Sequence, residues 1–367
     1  MTPRSVTSIH DLPTPALLVD LDVLERNLAA MQARCDALGV ALRPHVKTHK
    51  CIEIGSMQSE LGARGITVAT LEEARAFADA GFDDITWAFP VIPGRIAEAR
   101  EIGERSTLRL LVDSRAAIEA LERSGFPFHV WLEIDSGDHR SGVDPESAAA
   151  LELARALAGS ASLAFDGILT HAGHSYRAAD DAGRLAVARA ERDVMARLAE
   201  RLRSEGLDAR GISVGSTPGM TIVDHLQGVT EARPGNYAYF DATQVALRAC
   251  EAGDCALTVW SSVVSSASDH AVVDAGALAL SKDVGRGDDG RPSMGRIYDD
   301  YAAGKLREDV RLAGVSQEHG VVDAAMSVGA GVRILPNHSC LTNACFDRVH
   351  AVRGEVVVDV WRVRRER

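Results

Sequence analysis

The octapeptide Arg43-Pro44-His45-Val46-Lys47-Thr48-His49-Lys50 closes the first apolar strand of a repeating strand-and-helix pattern. Two lysines and two histidines in eight residues are costly to bury unless something compensates their charge. A lysine at the end of an apolar strand suggests an amine held for covalent chemistry, and a phosphate-bearing cofactor would supply the compensation. From these eight residues alone, a solvated basic turn is an equally good interpretation.

Outward from this stretch, short apolar or β-branched runs recur along the chain, and helical segments with N-terminal start signals separate most of them. The predicted strands are 40–46, 66–69, 85–89, 108–112, 128–134, 167–170, 211–214 and 228–232. The longest predicted helix covers 180–204, whereas 218–227 leaves room for only a short one. About eight strand-helix units over roughly 200 residues predict a closed (β/α)₈ barrel, with an open doubly wound sheet as the rival.

The pattern changes after about residue 247. The β-rich runs 256–265, 270–274 and 356–363 replace the amphipathic helices, and 283–293 is a polar, glycine-rich loop. We therefore predict a barrel domain over 22–247 and a mostly β domain over 248–367. An N-terminal strand within 10–21 is expected to pair with the β domain.

Composition excludes several classes of protein. The chain has 367 residues with 46% hydrophobic content, which is enough for two domains with full cores. The net charge of -12 argues against nucleic acid or an anionic membrane as a partner. No apolar run approaches the roughly 20 residues that a membrane span needs, and residues 1–12 lack a signal-peptide pattern, so we expect a cytoplasmic protein. The six cysteines are expected to be mostly free.

Residues suited to chemistry follow the carboxyl ends of the predicted barrel strands. Lys47 follows the first strand, Arg140 the fifth, a loop with His171, His174 and Tyr176 the sixth, and the turn Gly215-Ser216-Thr217 the seventh. Barrel enzymes carry their active sites at this end. The placement therefore predicts an enzyme.

Each of these motifs also has an ordinary structural interpretation. The turn Gly215-Ser216-Thr217 offers N–H groups and hydroxyls to a phosphate, but such residues are also the commonest in tight turns. Arg140 could hold a phenolate or carboxylate, or it could pair with Asp135 or Asp138 inside its own loop. The loop 171–176 offers possible proton carriers. Neither a P-loop nor a dinucleotide fingerprint is present.

A second candidate site lies in the predicted β domain, at Pro336-Asn337-His338-Ser339-Cys340. On an extended segment, residues i and i+2 project to the same side, so we expect His338 and Cys340 to face one metal ion. Imidazole with thiolate favours zinc. Two protein ligands leave coordination positions for water or substrate, although an incidental buried cysteine would give the same pattern.

Taken together, the motifs resemble those of the D-serine dehydratase and D-threonine aldolase family. They are Pro44-His45-Val46-Lys47-Thr48, His139-Arg140-Ser141-Gly142-Val143, Thr170-His171-Ala172-Gly173, Val214-Gly215-Ser216-Thr217-Pro218, Val273-Asp274-Ala275-Gly276, Gln317-Glu318-His319-Gly320 and Pro336-Asn337-His338-Ser339-Cys340. The resemblance implies an alanine-racemase-like fold, pyridoxal 5'-phosphate, a divalent metal and a homodimer. The metal would most readily be zinc, with manganese or magnesium as alternatives.

The resemblance also implies roles for individual residues. Lys47, rather than the nearby Lys50, would form the Schiff base with the cofactor, and His338 with Cys340 would hold the metal. The residues expected at the cofactor are Lys47, Arg140, Tyr176, Gly215, Ser216, Thr217 and Tyr239.

The implied reaction has two outcomes on a D-3-hydroxyamino acid. If Lys47 removes the Cα proton while the metal polarises the 3-hydroxyl, hydroxide leaves and a 2-oxo acid and ammonia result. If His171 or His174 takes the hydroxyl proton, the Cα–Cβ bond breaks to glycine and an aldehyde. In the family, His-x-Cys with zinc goes with dehydratases and His-x-Asp with manganese goes with aldolases, so Cys340 favours dehydration. A racemase and a non-catalytic cofactor carrier are further alternatives.

Overall fold

The computed structural model describes residues 8–287 and 290–366. Its helices, α1 to α11 in chain order, are Leu21–Ala37, Ile52–Glu60, Leu71–Asp79, Ile96–Gly103, Arg115–Ser124, Ala148–Ala158, Asp181–Ser204, Thr217–Met220, Ala242–Ala246, Ala277–Leu280 and Ser339–Ala344. Its strands, β1 to β19, are Ala16–Asp20, Ala41–Leu42, Ile66–Val68, Asp84–Pro90, Thr107–Val112, His129–Ile134, Ala164–Thr170, Gly211–Val214, Glu231–Ala232, Leu257–Ser266, Ala271–Val273, Gly285–Arg286, Pro292–Ser293, Arg296–Asp300, Lys305–Val315, Gly320–Val322, Gly331–Leu335, Arg348–Arg353 and Val356–Arg362.

The predicted closed barrel is confirmed. Strands β2 to β9 form one parallel sheet in the order β2-β9-β8-β7-β6-β5-β4-β3. A parallel bridge between His45 and Thr67 joins the two ends of this sheet, and the Thr67 N–H donates to the Pro44 carbonyl at 2.8 Å. An open doubly wound sheet would leave these ends apart, so that alternative is wrong.

Local signals in the sequence set the boundaries of several barrel helices. The Thr70 hydroxyl caps α3 by accepting from the Glu73 N–H at 3.1 Å. The longest helix, α7, ends before Gly206, whose φ of +74° suits glycine. The seventh crossover contains only the four-residue α8, as the short segment predicted.

The first barrel strand is shorter than the sequence suggested. Strand β2 has only two residues, and Lys47 lies beyond it in a 3₁₀ turn over Val46–Thr48. The last strand, β9, is equally short. In both cases the ladder ends where the chain turns into a loop at the carboxyl end of the barrel.

The other sheet is mostly antiparallel and has nine strands in the order β11-β16-β15-β14-β17-β10-β1-β18-β19. The N-terminal strand β1 pairs with β10 antiparallel and with β18 parallel, which is the pairing expected of it. The glycine-rich stretch 283–293 contains a small two-stranded sheet, β12 with β13. Residues 288 and 289 of the predicted loop lie outside the described residues.

By their internal contacts, the described residues fall into two compact units. A barrel unit holds 30–47 and 54–235, and a β unit holds 8–29, 48–53 and the described part of 236–365. The domain limits drawn from the sequence stay a prediction. Over the described ranges, none of the helices combines the length and apolarity needed to cross a membrane.

Candidate active site

Within the barrel unit, the predicted residues gather at the carboxyl ends of the strands. Lys47 is half-buried beyond β2, and Arg140 is exposed in the loop after β6. His171 follows β7, and beside these predicted residues Arg233, which was not predicted, is buried after β9. The electrostatic influence of Lys47, Arg140 and Arg233 on His171 shows that the fold brings these four residues together.

This group of side chains is strongly positive. Burial first, and then the charges of Lys47, Arg140 and Arg233, hold the pKa of His171 well below its usual value. A hydrogen bond with the Gly215 backbone opposes the shift only in part. His171 is therefore a neutral imidazole at neutral pH, and the pocket around it favours an anionic ligand.

The two aspartates in the loop that carries Arg140 form ion pairs with residues other than Arg140. Asp135 pairs with His139, with 2.7 Å between Oδ2 and Nδ1, and Asp138 pairs with Arg177 at 3.2 Å. Among the described residues Arg140 forms no ion pair with Asp135 or Asp138, so the alternative of an ion pair within its own loop is wrong.

The loop after β7 runs into a 3₁₀ turn over Gly173–Arg177, which contains His174 and Tyr176. Across the described chain, Nδ1 of His174 is a buried atom with no hydrogen-bond partner. The ring of His174 lies beside Gly137 of the β6 loop, since a Cβ atom at Gly137 would be 3.6 Å from its Cε1. His174 thus faces the loop of Arg140, whereas Tyr176 is half-buried in its turn.

The turn after β8 has the features expected of a phosphate cradle. Gly215 has a φ of +104°, a conformation that favours glycine. Ser216 caps α8 by accepting from the Gly219 N–H at 3.3 Å, and its Oγ lies 2.9 Å from Ser175 Oγ. Ser175, Ser216 and Thr217 are all buried, so three hydroxyl groups converge on this turn.

Sequence reasoning missed Glu191, which organises this end of the barrel. Its Oε1 accepts the backbone N–H of Ala172 at 3.0 Å and that of Gly215 at 3.2 Å. One buried carboxylate on α7 therefore joins the loop after β7 to the loop after β8. The sequence did contain a signal, because the helical period places Glu191 on the same face of α7 as the apolar residues Ala188 and Met195, which are buried.

Glu133 and Arg233 also lie at this end of the barrel, and the sequence patterns did not single them out. Arg233 is buried and donates to Ser213 Oγ and the Thr170 carbonyl, and burial lowers its pKa to about 10. Glu133 accepts from Ser141 Oγ at 2.8 Å through Oε1, while its Oε2 has no hydrogen-bond partner among the described residues. Burial raises the pKa of Glu133. The barrel interior thus holds a buried carboxyl group and a buried arginine that sequence patterns did not single out.

Within the β unit, the structure brings His338 and Cys340 together, but not on an extended segment. His338 is the residue before α11, and Ser339 and Cys340 begin that helix, so the predicted extended geometry is wrong. The two side chains are nevertheless close enough that Cys340 helps to raise the pKa of His338. Helix formation begins at Ser339 because its N–H has a fixed acceptor, the carboxylate of Asp241 at 2.9 Å.

The surroundings of this pair are negative. Burial alone would lower the pKa of His338, but Cys340, Asp241 and Asp283 outweigh it and raise the pKa to about 9. Nδ1 of His338 lies 3.4 Å from Asp283 Oδ2. The Cys340 thiol donates to Thr48 Oγ1 at 3.3 Å, and Thr48 follows Lys47 in the sequence.

Tyr239 lies in the β unit and is fully buried. Its ring makes an edge contact with His49, with 6.3 Å between centroids. Burial first, and then Cys51, raise the pKa of Tyr239 well above its usual value, so its phenol keeps its proton. Its predicted proximity to a phosphate stays a prediction.

The residues present fit both groups that the resemblance implies. A neutral imidazole among three cations, next to a turn of buried hydroxyls, suits an anionic cofactor such as pyridoxal phosphate. An imidazole and a thiol near two carboxylates suit a zinc ion. Across the residues that the structure describes, no cluster of three or more His, Cys, Asp or Glu side chains is arranged to hold a metal.

Two family models match the chain. One, the alanine racemase N-terminal domain, matches residues 19–243, and the other, the putative serine dehydratase domain, matches residues 256–352. The first range covers the barrel strands, and the second contains His338 and Cys340.

Curated relatives match over nearly the full length. The chain is 38% identical to D-threo-3-hydroxyaspartate dehydratase of Delftia sp. (strain HT23), covering 95% of this chain and 97% of the relative. It is 32% identical to D-serine dehydratase of Dictyostelium discoideum, covering 95% of each chain. A solved structure of a metal-free variant of D-threo-3-hydroxyaspartate dehydratase superposes with a TM-score of 0.91 at 38% identity, covering 97% of this chain and 98% of that one. The chain is also 32% identical to D-threonine aldolase of Arthrobacter sp., covering 95% and 92%.

Proposed function

We propose that this chain, which belongs to the D-serine dehydratase and D-threonine aldolase family of alanine-racemase-like enzymes, dehydrates a D-3-hydroxyamino acid to a 2-oxo acid and ammonia. Substrates of the D-serine, D-threonine and D-threo-3-hydroxyaspartate type fit this reaction. The observation that carries the choice of dehydration is the pairing of His338 with Cys340 at the start of α11.

Pyridoxal phosphate, when bound, supplies an electron sink for the negative charge that develops at the substrate Cα. The chain's own residues would hold and serve it. Lys47 would hold it covalently and would accept the proton from the substrate Cα. The turn Gly215-Ser216-Thr217 would hold the phosphate, and Arg140 would face the phenolate side. Glu191 keeps the phosphate turn in place because it holds the Gly215 N–H.

A zinc ion, when bound, supplies Lewis acidity that weakens the bond to a departing hydroxide. His338 and Cys340 would hold it, with Asp283 orienting the imidazole through Nδ1. A thiolate ligand selects zinc over manganese, and this preference supports dehydration over the alternative reaction.

Retro-aldol cleavage to glycine and an aldehyde is the second candidate. His174 favours it, because its buried Nδ1 has no hydrogen-bond partner over residues 8–287 and 290–366 and could accept a hydroxyl proton. His171 is a poor base for that step, because burial and the neighbouring cations hold its pKa well below the usual value. A racemase, the less favoured alternative, would not need the metal pair.

We further propose a cytoplasmic homodimer whose only partner besides itself is its small amino acid substrate. The test of the function is metal dependence. Chelation of the purified, pyridoxal-phosphate-loaded protein should abolish release of 2-oxo acid, and zinc should restore it more fully than manganese. Inversion of D-serine that survives chelation would instead establish a racemase.

A further inference from the structure

We infer that Asp241 is a positioning residue for the metal pair, fixing the first turn of α11 so that His338 and Cys340 meet. The inference rests on the proposed function, because it assigns a supporting partner to the proposed metal site. It concerns a residue 97 or more positions away in sequence from both proposed ligands.

The hydrogen bonds of Asp241 lead directly to the residue between the two ligands. Its Oδ2 accepts the Ser339 N–H at 2.9 Å and the Ser339 hydroxyl at 3.2 Å. The amide of Asn236 donates to the same oxygen at 2.6 Å and to Ser339 Oγ at 3.0 Å. Asp241 and Ser339 are both fully buried, so solvent cannot replace these bonds.

The other oxygen anchors the carboxylate itself. Asp241 Oδ1 accepts the Gln244 N–H at 3.0 Å and so caps α9. Immediately after it, the Ala242 N–H donates to the Pro336 carbonyl at 3.0 Å, and the Thr243 hydroxyl donates to the Asn337 carbonyl at 2.7 Å. The start of α9 therefore binds both the segment Pro336-Asn337, which precedes His338, and the first turn of α11.

The hydrogen bonds of Asp241 named above all come from neutral donors, so its role is to hold the backbone and hydroxyl of Ser339 and not to form an ion pair. Outer partners of this kind typically change metal affinity about 10- to 100-fold when they are lost.

The test compares two substitutions that each remove a buried carboxylate from the cap of a helix. Asp241→Asn replaces one of the two acceptor oxygens with an NH2 donor, so the side chain can no longer accept both from Ser339 and from Gln244. Asp20→Asn is the matched control, because Asp20 is also buried in the β unit and its Oδ1 accepts the Val23 N–H of α1 at 3.1 Å. Zinc would be titrated into pyridoxal-phosphate-loaded, metal-stripped protein against a chromophoric chelator, without substrate.

We expect Asp241→Asn to raise the zinc dissociation constant about 10- to 100-fold over that of Asp20→Asn. The thiolate-to-metal charge-transfer band of the cobalt-substituted protein should shift as well, which a purely structural defect elsewhere would not cause. Ser339→Ala removes the hydroxyl contact and keeps the N–H contact, so it should weaken zinc binding by a smaller factor. It replaces Asp241→Asn as the test variant if Asp241→Asn does not fold.

A zinc dissociation constant for Asp241→Asn within about threefold of the Asp20→Asn value, with an unchanged cobalt band, would overturn the inference while leaving the proposed metal site intact. If His338→Ala binds zinc as tightly as the wild type, the proposed metal site is wrong, and the inference falls with it.

Discussion

Glu191 offers a quantitative test of how the barrel organises its catalytic end. Replacing it with alanine leaves two buried N–H groups, those of Ala172 and Gly215, without their acceptor. Each unsatisfied buried donor costs about 1–3 kcal/mol, so Glu191→Ala should lower the free energy of unfolding by about 2–6 kcal/mol. Because the freed Gly215 belongs to the predicted phosphate turn, the variant should also bind pyridoxal phosphate more weakly.

Glu191→Gln separates hydrogen bonding from charge. Glutamine keeps an acceptor oxygen for both N–H groups, so its free energy of unfolding should stay within about 1–2 kcal/mol of the wild type. Burial raises the pKa of Glu191, so the stability it contributes is present below its unfolded-state pKa of about 4.3 and is lost as pH rises through the folded-state value. Glutamine does not titrate, and the stability of Glu191→Gln relative to the wild type should therefore improve as pH rises.

Urea denaturation followed by circular dichroism, together with titration of the apoenzyme with pyridoxal phosphate, measures both effects. Glu200→Ala is the matched control, because Glu200 is an exposed glutamate on the same helix and should change the free energy of unfolding by no more than about 0.5 kcal/mol. If Glu191→Ala unfolds at the same urea concentration as Glu200→Ala, the two loops do not depend on this carboxylate and the reasoning is refuted.

Three further predictions concern Lys47, the predicted Schiff-base lysine, and the charged residues of the barrel. Lys47→Arg keeps the positive charge but cannot bind the cofactor covalently, so it should lose the visible absorption band and at least about 100-fold in activity, and a retained band would contradict the assignment. Glu231→Gln weakens the buried contact between Glu231 Oε2 and Arg43 Nε at 2.8 Å and should cost about 3–5 kcal/mol in urea denaturation. Asp224→Asn, at the exposed pair with Arg189, should shift the urea midpoint much less. Burial acts to raise the pKa of Asp84, but hydrogen bonds from Arg43 and Arg109 outweigh it and lower the pKa. The stability that Asp84 contributes is therefore lost as pH falls below about 4. The free energy of unfolding of Asp84→Asn should fall less steeply with acid than that of the wild type.

The barrel was predictable because strand and helix periods alternate so regularly. That regularity placed Lys47, Arg140 and His171 at one end of the barrel, since each follows a predicted parallel strand. The length of β2 was not predictable, because the bridge between His45 and Thr67 closes the barrel beyond a strand of only two residues. Closure depends on contacts with a neighbouring strand that the local sequence does not encode.

His338 and Cys340 show the same limit of local sequence patterns. The spacing singled out His338 and Cys340, whose role as metal ligands stays a prediction. The extended conformation predicted between them was wrong, because Asp241, 98 residues before Ser339, accepts its N–H and a helix starts there. Glu191 was missed for a similar reason, because its two acceptor bonds reach loops 19 and 24 residues away. Buried polar groups with distant partners are the part of a site that local patterns leave open.

The products formed from D-3-hydroxyamino acids test the account most directly. The purified enzyme, loaded with pyridoxal phosphate and zinc, would be incubated separately with D-serine, D-threonine and D-threo-3-hydroxyaspartate, and 2-oxo acid, ammonia, glycine and aldehyde would be measured in each reaction. The account predicts equal amounts of 2-oxo acid and ammonia from at least one substrate, without glycine. Glycine with an aldehyde as the main products would contradict it.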